Sequence, residues 1–216
     1  MKSLLGTCVL ALALGLTGLA TSANAAIIVQ SGNLAGGSVD NVISAGCNNL
    51  VPGPALTITG CLQSDQNFGV DFTSDENIMF GAGGQARVQA VVGGFSELTI
   101  GTTGSALFDI LVLNIDEVNA LDGFVTFTGV PGGTSSSFAL GSGVNFFTIT
   151  GSAGEGFQSV SFSVTDSNGV AIDAAADVQQ VRLGGGGAPR SVPEPTSMVL
   201  LGLGLLCAGL AGRRRQ

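Results

Sequence analysis

Carboxylates are the reactive groups that this chain holds in number, with Asp71, Asp75, Glu76, Asp109, Asp116, Glu117 and Asp122 between positions 71 and 122. Two carboxyl groups about 5 to 10 Å apart are enough for acid/base cleavage of a glycosidic bond. Asp116, Glu117, Asn119 and Asp122 fall within eight residues where a strand pattern gives way to a turn ending at Gly123. Such a run of hard oxygen ligands suits calcium, although its spacing is not that of an EF-hand loop. The same run also reads as solvated loop carboxylates. The chain has no His, Tyr or Trp, and its lone lysine is Lys2. Ser-His-Asp triads, Schiff-base lysines, His-bound zinc and tyrosine acid/base chemistry are therefore excluded. In an acidic chain two carboxylates at hydrolytic distance arise by chance, and no Trp or Tyr is present to hold a sugar ring. The residue inventory favours a noncatalytic protein without a resident cofactor, calcium being the one candidate ion.

Sulfur chemistry is limited in the same way. Of the four cysteines, Cys8 and Cys207 lie inside apolar terminal segments, which leaves Cys47 and Cys61. In an exported chain such a pair is most simply a disulfide, which would constrain the unfolded chain by about 3 kcal/mol in the loop-entropy model. A metal or redox pair would want CxxC spacing or a histidine partner.

The ends say where the chain goes. Lys2 followed by the apolar run Leu4 to Leu19 and then Ala23-Asn24-Ala25 has the three parts of a secretory signal peptide, residues 1–25, with Ala23 and Ala25 as the small residues read by signal peptidase. At the other end, residues 196–212 carry no charge and are followed by Arg213-Arg214-Arg215. As a helix those 17 residues span roughly 25 Å, the short limit for crossing a bilayer. The arginines hold that end in the cytoplasm and leave the rest of the chain outside. Just upstream, Val192-Pro193-Glu194-Pro195 cannot be helical, because each proline pushes its neighbour toward an extended form. An extended peptide beside a membrane is what a processing enzyme can grip.

A proline motif, a Gly- and Leu-rich apolar segment and a terminal arginine cluster, in that order, resemble the PEP-CTERM sorting signal. The resemblance covers residues 193–216 and implies an exosortase as partner, in a Gram-negative bacterium that makes exopolysaccharide. It also implies removal of the tail, so that the inner membrane holds the chain only transiently before release to the cell surface or matrix. Stretches such as Asp71-Phe72-Thr73-Ser74 look like parts of β-rich ectodomains in other proteins of this kind.

What must position any chemistry is the segment between the two signals. Residues 26–183 form one domain-sized ectodomain, followed by the linker 184–192 with its run of four glycines. Without the signals this segment and its linker keep three cations, Arg87, Arg182 and Arg190, against 14 acids, a net charge of −11. Such a surface repels nucleic acid and anionic lipid. Residues 26–67 read as loop-rich, with brief strands at Ile27 to Gln30 and Ala55 to Thr59 and the disulfide among them. Beyond them about nine apolar, β-branched runs alternate with turn signals such as Pro131-Gly132-Gly133 and Asp166-Ser167-Asn168-Gly169.

In Ser159 to Thr165, Val160, Phe162 and Val164 share one face, so this strand has a dry side and a wet one. Phe108 to Ile115 is apolar on both alternating sets, as a central strand would be. The phenylalanines of these runs are expected in the core. The pattern predicts an all-β, antiparallel two-sheet sandwich or jelly roll, flanked by the signal peptide and a C-terminal hydrophobic helix. The functional expectation is an exported surface or matrix component that supports exopolysaccharide or biofilm. A calcium-assisted carbohydrate-binding module is the alternative, and an acid/base glycosidase a third.

Overall fold

The computed structural model describes residues 26–34, 39–117, 123–152 and 155–185. Twelve strands carry the fold: β1 (Ile27–Ser31), β2 (Val39–Ile43), β3 (Ala55–Leu62), β4 (Gly69–Phe80), β5 (Val88–Ala90), β6 (Glu97–Thr102), β7 (Ile110–Glu117), β8 (Phe124–Val130), β9 (Phe138–Ala139), β10 (Val144–Gly151), β11 (Ser159–Thr165) and β12 (Ala175–Gly184). They are joined in a single antiparallel sheet in the order β1-β10-β7-β12-β2-β3-β4-β6-β11-β8-β9. Strand β5 bonds to both β12 and β4, which ties two distant parts of that sheet together. The all-β, antiparallel expectation holds. Among the described residues no helix is long and apolar enough to cross a membrane; the signal peptide and the hydrophobic C-terminal segment lie outside the described residues.

The sheet bends over on itself. Phe127 of β8 and Phe147 of β10 lie far apart in strand order, yet their ring centroids are 5.0 Å apart. Phe127 also meets Phe138 at 6.4 Å and Phe162 at 6.1 Å, tilted or edge-on geometries that suit ring quadrupoles. One continuous apolar cluster fills the space between the two halves. Of the phenylalanines expected there, Phe95, Phe108, Phe127, Phe147, Phe157 and Phe162 are buried, whereas Phe124, Phe138 and Phe146 are half-buried. Close packing leaves some positions no room for a side chain: a Cβ on Gly129 would stand 2.7 Å from the Phe157 ring.

Local pattern explains most strands. In β11, Val160, Phe162 and Val164 are buried and Ser163 is exposed, as period-two alternation requires. In β7, which is hydrogen-bonded to β10 on one edge and β12 on the other, Leu111, Val112, Leu113, Asn114 and Ile115 are all buried, so both faces of this strand are covered.

The N-terminal part departs from the loop-rich expectation. Strand β2 stands where no strand was expected, and β3 continues through Cys61 to Leu62. Strand β4 runs on past Thr73 to Phe80 through a polar bulge: Thr57 faces Thr73 while Ala55 faces Ile78. The excess residues, Ser74 to Asn77, have no pattern of their own and are carried by their neighbours. The run expected from Gln85 to Val92 shortens to the three residues of β5.

Candidate functional site

The sorting residues Val192, Pro193, Glu194, Pro195 and Arg213 to Arg215, the cleavage-site residues Ala23 and Ala25, and Asn119 and Asp122 of the calcium candidate lie outside the described residues. What the fold defines is where the chain leaves the domain toward the tail. Gly184, the last residue of β12, faces Ile110 of β7 on one side and Val39 of β2 on the other. The Asp109 amide donates to the Gly184 carbonyl at 3.0 Å. Gly185 has φ +66°, and the Asp109 carboxylate fills the space that a side chain there would need. Only glycine meets both conditions. The exit is thus fixed by backbone bonds as far as Gly184, nine positions before Pro193. The start of the domain is held as firmly: the Ala26 amide donates to Ser152 Oγ at 3.0 Å, and the Ser152 amide donates to the Ala26 carbonyl at 2.9 Å.

Cys47 and Cys61 are bonded, with their Cα atoms 5.6 Å apart. Cys61 sits on β3 opposite Ile43 of β2, so the bridge clamps the loop after β2 onto the strand that pairs with it. The same loop is held from the other side, where the Asn48 amide donates to the Gln66 carbonyl at 3.2 Å and its side-chain Nδ2 to Asn67 Oδ1 at 2.7 Å. Hydrogen bonds and a crosslink here replace the apolar packing that this stretch lacks.

The candidate carboxylates fall into separate groups. Asp109 precedes β7 and Asp116 is near its other end; seven residues of strand at about 3.3 Å each place them roughly 23 Å apart, beyond the reach of a hydrolytic pair. Asp71 accepts from Thr59 Oγ1 at 2.7 Å. Burial raises the pKa of Asp75, but hydrogen bonds from the Ser96 hydroxyl, the Glu97 amide and the Ser74 hydroxyl outweigh it and hold the carboxyl below its ordinary value. Asp166 is also lowered, by the Val170 amide and the Asn168 side chain, which close the turn after β11. Asp75 and Asp166 are thus held toward the ionised form by the groups they organise, which is the opposite of what a general acid requires.

Asp116 and Glu117 end β7 as the sequence implied. Asp116 stands opposite Asp177 of β12, a residue that sequence reasoning missed. Asp177 is 3% exposed, and its Oδ2 accepts from Arg87 Nε at 3.0 Å and, more closely, from Nη2. Its Oδ1 has no hydrogen-bond partner among the described residues. Among the described residues no three metal-ligating side chains converge, so Asp116 and Asp177 supply at most part of a calcium site. The Arg87–Asp177 contact links residues 90 positions apart, and no local pattern could have announced it.

A shallow groove of about 320 Å³ runs along β10 and the end of β1, lined by Ser31, Gly32, Ala139, Val144, Asn145, Phe146 and Phe147. None of these lining residues is titratable. Asn145 is committed to the turn before β10, with Nδ2 donating to the Gly141 and Gly143 carbonyls at 2.8 and 2.9 Å.

Comparison with known proteins leaves the domain without a named relative: neither a curated protein nor a solved structure matches the chain. The tail differs, since the family model described as the PEP-CTERM protein-sorting motif matches residues 191–215. That match begins six residues after Gly185, where the described strand structure has ended. The chain therefore carries a PEP-CTERM protein-sorting motif, which implies export, processing by an exosortase and a surface or extracellular destination.

Proposed function

We propose that this chain is a noncatalytic surface or matrix component, an all-β domain delivered by its tail to support exopolysaccharide or biofilm. The observation that carries the reading is the sorting motif at residues 191–215 directly behind a domain whose last strand ends at Gly184. A signal peptide brings the chain across the inner membrane, the apolar segment holds it there, and an exosortase acts at Val192-Pro193-Glu194-Pro195. What supports a structural role is that the Asp75 and Asp166 carboxylates organise neighbouring backbone and Asp177 pairs with Arg87, while the residues lining the groove include neither acid nor base. Pulse-chase with cell fractionation tests this. Pro193→Ala should leave export intact and trap an uncut form in the inner membrane, a few kilodaltons heavier than the mature one. Equal masses and compartments for this variant and the wild type would contradict the reading.

A second reading, a calcium-assisted carbohydrate-binding module, draws on the buried Asp177 with its unbonded Oδ1 opposite Asp116. Asn119 and Asp122 would complete that site with Glu117. A glycan array in millimolar calcium and in chelator distinguishes the two, since sugar retention that calcium restores favours the module. Turnover of a glycan on the same array, lost on a single carboxylate change, would favour a glycosidase instead.

A further inference from the structure

Strand β1 is paired along one edge only. The Gly32 amide donates to the Phe146 carbonyl at 2.7 Å, and the Ser152 amide donates to the Ala26 carbonyl at 2.9 Å. Between them Ile28 faces Thr150 and Gln30 faces Thr148, so the even-numbered residues turn their backbone groups toward β10. Ile27, Val29 and Ser31 turn theirs the other way, where no strand among the described residues pairs with them.

The bent sheet brings its two ends side by side, and they are built differently. A Cβ on Gly129 of β8 would stand 3.5 Å from Ile27 Cδ1, and Ser31 and Ala139 line the same groove, so β1 runs beside β8 and β9 without bonding to either. On the β9 side the edge is short and irregular: β9 has two residues, and the Phe127 amide donates to Ser135 Oγ at 3.0 Å instead of to a carbonyl. Edges of that kind resist strand addition. Strand β1 has no such protection, since Ile27-Ile28-Val29-Gln30-Ser31 holds one register and carries no proline, charge or bulge.

Charge narrows what can sit there. With 14 acids against three cations, two copies of the domain repel each other over most of their surface. Residues 26–39 and 123–154, which build β1, β8, β9 and β10, have no charged side chain. Asp109 and Asp116, at the two ends of β7, stand two strand spacings behind the free edge, about 10 Å, beyond the screening length of about 8 Å at physiological salt. Glu155 lies past the start of β1, where its amide donates to the Ser152 carbonyl. Ile28, Leu34, Val130 and Val144 are exposed around this seam and supply apolar contact. The edge is therefore where two like-charged copies can meet.

We propose that β1 is an association edge for a second copy of this chain, the two β1 strands pairing antiparallel about a two-fold axis at Val29. Val29 then faces Val29, and Ile27 faces Ser31 of the second copy. Every free amide and carbonyl of these residues finds its complement, and the contact closes after two copies. Such pairing is independent of how the tail is processed.

The test uses the exported chain with Cys207→Ala, kept in mild detergent so that any retained apolar tail stays dispersed. Pairing at Val29 sets Ile28 opposite Gln30 of the second copy as a non-hydrogen-bonded pair, with Cα atoms about 4.5 Å apart. Ile28 and its own counterpart are offset by two residues, about 8 Å, too far for a disulfide. Both positions are exposed. Under mild oxidation a mixture of Ile28→Cys and Gln30→Cys chains should give a covalent dimer, with several-fold less from either variant alone. Equal crosslinking in the mixture and in each variant overturns the pairing. Sedimentation velocity should give the parent chain about twice the mass of one copy, and Val29→Pro, which removes only the free central amide, should restore the single mass. A folded Val29→Pro chain that keeps the doubled mass overturns the proposal, and the crosslinking arm decides the matter if that variant does not fold. A single-copy mass for the parent at tens of micromolar also overturns it and leaves the edge to a strand from another protein.

Discussion

The domain and the tail behind it hold information in different ways. Between Ile27 and Gly184 the chain needs apolar side chains of suitable volume at alternating positions, and many sequences meet that demand. Between residues 191 and 215 it needs a short proline motif, an uncharged run and a basic end in fixed order. Substitutions should therefore separate cleanly. Those in the domain should change stability without redirecting a chain that still folds, and those in the tail should change destination without touching stability.

The largest effect on the domain side is expected at Phe127, which meets three other rings. Phe127→Ala should cost about 3–5 kcal/mol, read as a lower midpoint in urea unfolding. Cys47→Ser should cost up to about 3 kcal/mol by freeing the unfolded chain. Alkylation of the exported protein without reduction should modify no thiol at position 47 or 61, and any chain that folds should reach the wild-type compartment. A mature chain that melts unchanged after loss of the bridge would mean that the hydrogen bonds at Asn48 and Gln66 suffice to hold this loop.

Calcium should act more weakly. On the module reading, millimolar calcium raises the melting temperature by a few degrees and Asp122→Asn diminishes that rise; equal melting temperatures in calcium and chelator would contradict a calcium role for Asp116, Glu117, Asn119 and Asp122.

The smallest effect concerns Asp75. Its carboxyl is held below the ordinary value of 3.8 in the fold, so its contribution is complete above the unfolded pKa and is lost as pH falls through the folded one. Ser96→Ala, which removes a 2.6 Å hydrogen bond, should destabilise slightly near neutral pH and not at all in strong acid. Because the group is largely exposed, the difference stays below about 1 kcal/mol.

The same contrast explains what could be read before the fold was known. Strand β7 was legible because both alternating sets are apolar, and β11 because only one is. Strand β2 was not: Val39-Asp40-Asn41-Val42-Ile43 has one fully buried residue, Val42, and owes its conformation to hydrogen bonds from β12 and β3, which lie elsewhere in the sequence. The bulge at Ser74 to Asn77 escaped for the same reason. Asp177 looked like an ordinary polar strand residue, and only the fold brings Arg87 to it.

Among candidate sites, Cys47 and Cys61 could be paired from the export signal and their number. The sorting motif could be read whole, because its meaning lies in residue order along a short segment. That β1 begins and β12 ends at the same end of the sheet was invisible, since it follows from the pairing of β1, β10, β7 and β12.

The central claim, that the tail sorts the domain and is then removed, is tested most directly by the intact mass of the protein recovered from the cell surface and medium. The account predicts a chain that begins at Ala26, retains the Cys47–Cys61 bond and ends at or near the proline motif, without the apolar segment and Arg213 to Arg215. Recovery of chains that all still end at Gln216 would contradict it.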